Sequence, residues 1–86
     1  MQAGMDRDQV MGVVKGHLAA ELEVDIDSID SGTRFKEDLD ADSLDLYELV
    51  MEMEDRYGVK VSEEEAAELV SVGDVVEFVC SRAASG

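Results

Sequence analysis

Asp42-Ser43-Leu44-Asp45-Leu46-Tyr47-Glu48-Leu49-Val50-Met51-Glu52-Met53-Glu54-Asp55-Arg56-Tyr57-Gly58 is the stretch on which the fold turns. Leu46, Leu49, Val50, Met53 and Tyr57 recur every three or four residues, the rhythm of one buried helix face. Leu44, Tyr47 and Met51 make an adjoining apolar stripe among Asp45, Glu48, Glu52, Glu54 and Asp55, so the apolar surface is wider than burial requires. The spacing predicts a helix that starts at Asp42 or Ser43 and reaches about Arg56. Tyr57-Gly58 then supplies a stop, because glycine enters the left-handed conformation without a steric penalty.

Upstream, Glu23 to Asp42 is acidic and turn-rich, with Val24, Ile26, Ile29, Phe35 and Leu39 as isolated apolar residues. A loop of about 20 residues in a compact domain is uncommon and usually functional, and Phe35 and Leu39 are the expected pins onto the core. Before it, Asp6 and Asp8 mark the start of a first helix that runs to about Leu22, with Val10, Val13, Val14, His17 and Leu18 on one face. Gly12 and Gly16 weaken that helix by about 1 kcal/mol each relative to alanine and suggest close approach of a neighbouring helix.

Downstream, Val59-Lys60-Val61 reads as a short extended piece. Ser62-Glu63-Glu64-Glu65 is a capping box that opens a short helix to about Leu69. A last helix from Val72 or Gly73 to Arg82 turns Val72, Val75, Val76 and Val79 inward, with Phe78 nearby. No alternating run is long enough for a sheet. The expected fold is all-α: a small four-helix bundle of three longer helices and a short third one, with the long loop between helices one and two. Residues 1–86 make one domain, with 1–5 and 83–86 as flexible ends.

Charge narrows the function classes. Lys+Arg 7 against Asp+Glu 22 gives a formal net charge of −15 in 86 residues. Such a surface repels nucleic acid and anionic membranes and attracts basic protein surfaces. A domain this small buries only roughly 60% of its unfolded surface, which leaves little for a deep, dry catalytic site. One cysteine, Cys80, fits a reducing compartment. The longest apolar runs, such as Leu49-Val50-Met51, are far too short to span a bilayer, and Met1 to Met5 lacks the features of a signal peptide. These traits point to a cytoplasmic, monomeric protein without membrane insertion.

Catalytic candidates are weak. His17 sits on an apolar helix face with no nucleophile linked to it, so a half-buried structural role is expected, and Cys80 beside Phe78 and Val79 reads as a packed thiol. Asp38, Asp40 and Asp42 alternate like the first half of a calcium-binding loop. The glycine and glutamate that loop needs at positions six and twelve are replaced by Ser43 and Leu49, so no specific metal site is expected. Ser43 is more informative: at a helix N-terminus, unpaired N–H groups and the helix dipole stabilise a phosphate. Equally, Ser43 or Asp42 could simply cap the helix, with Asp45 as capping-box partner.

The run from Phe35 to Met51, centred on Asp42-Ser43-Leu44 and flanked by Phe-x-x-Asp-Leu and Glu-Leu-Val-Met, resembles the prosthetic-group attachment region of acyl carrier proteins. Ser62 to Leu69 is similar to that family's Glu-rich third helix, and the likeness extends from about Asp6 to Val79. The resemblance implies a non-catalytic carrier whose Ser43 bears 4'-phosphopantetheine, taken from coenzyme A by a phosphopantetheinyl transferase. The arm supplies a length and a thiol that no side chain combines, so acyl chains can travel as thioesters. By the family pattern Asp42, Asp45, Glu48, Glu54 and Asp55 meet basic patches on partner enzymes, with Leu44 and Met51 as apolar contacts. The partners implied are the ketoacyl synthases, reductases, dehydratase and acyl transferases of dissociated fatty-acid synthesis. Phe35, Leu49, Met53, Ala66, Leu69, Val72 and Val75 match the family's acyl-pocket lining.

Three residues depart from the pattern. Asp40 stands where glycine is common, Tyr47 where a smaller aliphatic residue is usual, and Glu52 where a small residue is common. Polyketide synthesis is the alternative pathway for such a carrier. Peptidyl carriers fit less well, because Asp-Ala-Asp rather than Gly-Gly-x precedes the serine. An acidic metal-binding helical protein and a non-carrier interaction module are the readings from other classes.

Overall fold

Local capping sets most of the helix boundaries in the computed structural model, which describes residues 7–85. The ends expected to be flexible at residues 1–5, and Gly86, lie outside the described residues. The helices are α1 (Arg7–Leu22), α2 (Ser43–Tyr57), α3 (Glu63–Ala67) and α4 (Val72–Ser85), with a three-residue 3-10 turn at Ile26–Ser28 inside the long loop. Gly58 closes α2 at φ 68°, donating its N–H to the Glu54 carbonyl at 2.9 Å, as the sequence predicts. At the end of α1 a glutamate does that work instead, Glu23 taking φ 57°. α4, expected to end near Arg82, runs on through Ser85, alanine being a good helix former.

α1 packs most extensively on α4, and smaller contacts join α1 to α2 and α2 to α4. Val10, Val14 and Leu18 from α1 meet Leu49, Val50 and Met53 from α2 and the valines 72, 75, 76 and 79 from α4 in one buried core. Gly12 and Gly16 take no part in a close helix approach, since a Cβ on either would meet nothing within 4 Å.

The long loop is docked rather than loose. Phe35 is buried and Leu39 packs half-buried against the core. Ile29, another of the loop's spaced apolar residues, is buried as well, and so is Thr33, which the apolar pattern did not mark. An isolated antiparallel bridge joins Arg34 to Ser71, with Phe35 N–H donating to the Val70 carbonyl at 3.0 Å and Val72 N–H to the Thr33 carbonyl at 2.9 Å. Gly73 makes this approach possible. Its N–H donates to the Ser31 carbonyl at 2.8 Å, and a Cβ there would fall 2.8 Å from the same oxygen. The loop is thereby held over the start of α4, which delivers its far end to the start of α2.

Candidate functional site

Asp42, not Ser43, caps α2. Its Oδ1 accepts from Asp45 N–H at 3.0 Å while Asp45 Oδ2 accepts from Asp42 N–H at 3.2 Å, a complete capping box. Ser43 becomes the first residue of the helix, exposed and outside that box. The first-turn N–H groups and the positive end of the helix dipole thus lie beside an accessible hydroxyl, which suits a phosphate ester. Other serines are engaged: Ser28 Oγ donates to the Asp25 carbonyl at 2.6 Å, and Ser62 Oγ and Ser71 Oγ accept from Glu65 N–H and Asp74 N–H at 3.1 and 3.3 Å.

The turn before Ser43 depends on two aspartates. Asp38 Oδ2 accepts from Arg34 N–H at 2.8 Å, and Asp40 adopts φ 55°, the left-handed conformation that aspartate tolerates better than most side chains. Ala41 N–H then returns to the Phe35 carbonyl at 2.8 Å. Asp38 closes one turn and Asp42 caps the helix, so each carboxylate is tied to the backbone.

A cleft of about 410 Å³ opens between this turn, α2 and α3, and Ser43 is on its wall. Phe35, Ala66 and Leu69 of the expected pocket residues line it. Leu49, Met53, Val72 and Val75 do not: all four are buried in the helix core. Leu46, Tyr47 and Val70 complete the apolar side, with Tyr47 45% and Val70 53% exposed at the mouth, and Lys36 adds a cation. Sequence reasoning missed Val70, and no local pattern marks it, because the Arg34–Ser71 bridge that sets it beside the loop joins residues far apart in the chain.

Along α2, Leu44 and Met51 are each 63% exposed, and Asp42, Glu48 and Asp55 are also exposed. Glu54 is half-buried and braces its own chain instead, its Oε2 accepting from Val61 N–H at 2.8 Å. Asp45 is half-buried in the capping box. It also belongs to a group with Glu21 and Glu48 whose carboxylate oxygens lie within 4.8 Å of one another. A hydrogen bond with Glu48 raises the Glu21 carboxyl above its ordinary value, helped by desolvation and by the negative charges of Glu48 and Asp45. This group joins α1 to α2, so no local pattern in the sequence announces it. His17 is half-buried, and its Nε2 is enclosed without a hydrogen-bond partner among the described residues. Cys80 packs half-buried against the core.

A family model for the phosphopantetheine attachment site matches residues 12–79. The acyl carrier protein of Lactobacillus acidophilus is 39% identical over 77 residues, covering 90% of this chain and 96% of that protein. The chain belongs to the acyl carrier protein family. The acyl carrier protein of Borreliella burgdorferi is 42% identical over 78 residues, covering 91% of this chain and 98% of its own length. Among solved structures, the acyl carrier protein of Enterococcus faecalis superposes with TM-score 0.79 at 31% identity, covering 91% of this chain and 99% of that one. That of Thermotoga maritima gives TM-score 0.81 at 25% identity, covering 98% of each. The fold is therefore the small helical bundle of acyl carrier proteins, and the cofactor is 4'-phosphopantetheine. Family members are non-catalytic carriers that work with a phosphopantetheinyl transferase and acyl-handling enzymes. An exposed serine at a helix start, beside a partly apolar cleft, fits that group. No helix among the described residues is long and apolar enough to cross a membrane.

Proposed function

We propose that the chain is a single-domain, monomeric, cytoplasmic carrier of dissociated fatty-acid synthesis and that Ser43 Oγ carries the phosphodiester of the arm. The observation that supports this most is the division of labour at the start of α2: Asp42 takes the cap and Ser43 is left exposed on the wall of the cleft. When bound, the group supplies a terminal thiol on a long arm that holds acyl chains as thioesters. The first-turn amides of α2 stabilise the phosphodiester charge. Phe35, Leu46, Ala66 and Leu69 offer an acyl chain an apolar surface next to its attachment point.

Asp42, Glu48 and Asp55, with Leu44 and Met51 between them, form the partner-facing surface. Exposed carboxylates steer basic enzyme surfaces to rapid encounter while the complexes stay short-lived, which suits a shuttle. Asp45 and Glu54 contribute to the same field while serving the helix and its following turn. The Glu-Leu-Val-Met run and the Glu-rich second helix favour fatty-acid over polyketide synthesis.

Two experiments test this reading. Incubation with coenzyme A, magnesium and a phosphopantetheinyl transferase adds one phosphopantetheine unit to the intact mass, and Ser43→Ala does not gain it. A reconstituted set of dissociated fatty-acid enzymes then extends the modified protein to saturated acyl products. Normal modification without extension would contradict the pathway and leave the carrier standing.

A further inference from the structure

The wall of the cleft opposite Ser43 is its least supported part. α3 has five residues, too short a helix to persist alone, and the extensive helix packing joins α1, α2 and α4 without it. Glu63, Ala66 and Ala67 nevertheless form that wall. Two buried side chains, Ala66 and Leu69, attach α3 and its end to the core. Polar ties do the rest, and they converge on one residue of α4.

Arg82 reaches three places at once. Its Nη1 donates to the Lys60 carbonyl at 3.2 Å, its Nη2 bonds Glu65 Oε2, and its guanidinium lies 4.5 Å from the centroid of the Phe78 ring. One side chain thus ties both the segment entering α3 and the middle of α3 to the last helix, while stacking keeps the guanidinium in place. Glu65 is already committed at the other end of its carboxylate, where Oε1 accepts from Ser62 N–H at 3.0 Å, so the Arg82 tie pulls on the capping box itself. The Glu65 carboxyl is held below its ordinary value by Ser62 N–H and then by Arg82, consistent with both contacts. The pair is 43% and 33% exposed, hence weak and salt-sensitive, as a tie that must open easily should be.

We propose that Arg82 is a positioning residue that latches α3 to α4 and so sets how far the cleft beside Ser43 opens for cargo. The cargo half of this statement rests on the reading of the cleft given above. The latch itself does not, so the two fail separately.

Amide hydrogen exchange on the unloaded protein tests the latch. In Arg82→Ala, exchange at Ala66, Glu68 and Leu69, whose N–H groups close the turns of α3 and its end, rises by about two- to tenfold, the range for a partly exposed ion pair and one hydrogen bond. Exchange at Val14 and Leu18 in α1 stays unchanged. Glu65→Gln, which keeps the capping box and loses the charge, gives a smaller rise at the same amides and carries the test should Arg82→Ala fail to fold. Unchanged exchange in α3, or an equal rise in α1 and α3, overturns the latch. For the cargo half, the transferase loads Ser43 with a medium-length saturated acyl arm from its acyl-coenzyme A, and hydroxylamine cleavage of the thioester is timed. Arg82→Ala cleaves faster than the unsubstituted protein. An equal rate alongside faster α3 exchange overturns the control of cargo, and a mass gain that survives Ser43→Ala overturns Ser43 as the attachment point instead.

Discussion

The starts of α2 and α3 are built on the same capping-box plan and end up opposite in character. At α3 the serine is the cap: Ser62 Oγ accepts from Glu65 N–H, and the reciprocating Glu65 is paired with Arg82. At α2 the aspartate is the cap, the serine is displaced one residue into the helix, and the reciprocating Asp45 faces Glu21 and Glu48. One helix end is satisfied from within the chain. The other keeps an exposed hydroxyl near a group of three carboxylates. A one-residue shift of serine relative to the cap thus separates a serine engaged in its capping box from one left exposed, the difference on which the proposed modification of Ser43 rests.

That contrast breaks most completely with Ser43→Ala, which abolishes the mass gain on incubation with the transferase while Tm stays within a few degrees, because Asp42 and Asp45 hold the cap. Asp42→Ala removes the cap and costs about 1 kcal/mol, or about 4–8 °C in Tm. Asp42→Ser returns most of that stability and leaves the modification at residue 43. Ser62→Ala costs less than about 1 kcal/mol, because the helix it caps has five residues and frays locally, and the mass gain is unaffected.

The smallest effects have opposite signs. Glu65 has its carboxyl lowered in the folded state, so its contribution to stability is present above the ordinary carboxylate range and is lost as pH falls through the folded value. Glu21 has its carboxyl raised, so its contribution is present at acid pH and lost as pH rises through the folded value. At neutral pH, thermal melts therefore show a slightly lower Tm for Glu65→Gln and a slightly higher one for Glu21→Gln, and both differences shrink on acidification.

Features of the site that depend on neighbours in the chain were legible in the sequence. The boxes Asp42–Asp45 and Ser62–Glu65 and the Gly58 stop are each decided within four residues. The four helices follow from the same periodicity. Illegible were the contacts that depend on how the helices pack: the Arg34–Ser71 bridge, the meeting of Glu21 with Glu48, and the reach of Arg82 to Lys60 and Glu65. The pocket reading lies between these cases. Phe35, Ala66 and Leu69 reach the cleft, while Leu49, Met53, Val72 and Val75 have the same apolar character and face the core, a distinction that periodicity alone does not make.

The most direct measurement maps the modified residue. The chain has seven serines, and fragmentation of the protein after incubation with coenzyme A, magnesium and the transferase assigns the added phosphopantetheine to one of them. The account predicts a single modification on Ser43 and an unmodified Ser62, despite their shared position at helix starts. Modification at Ser62, or none on a folded, unloaded protein across several transferases, would contradict it.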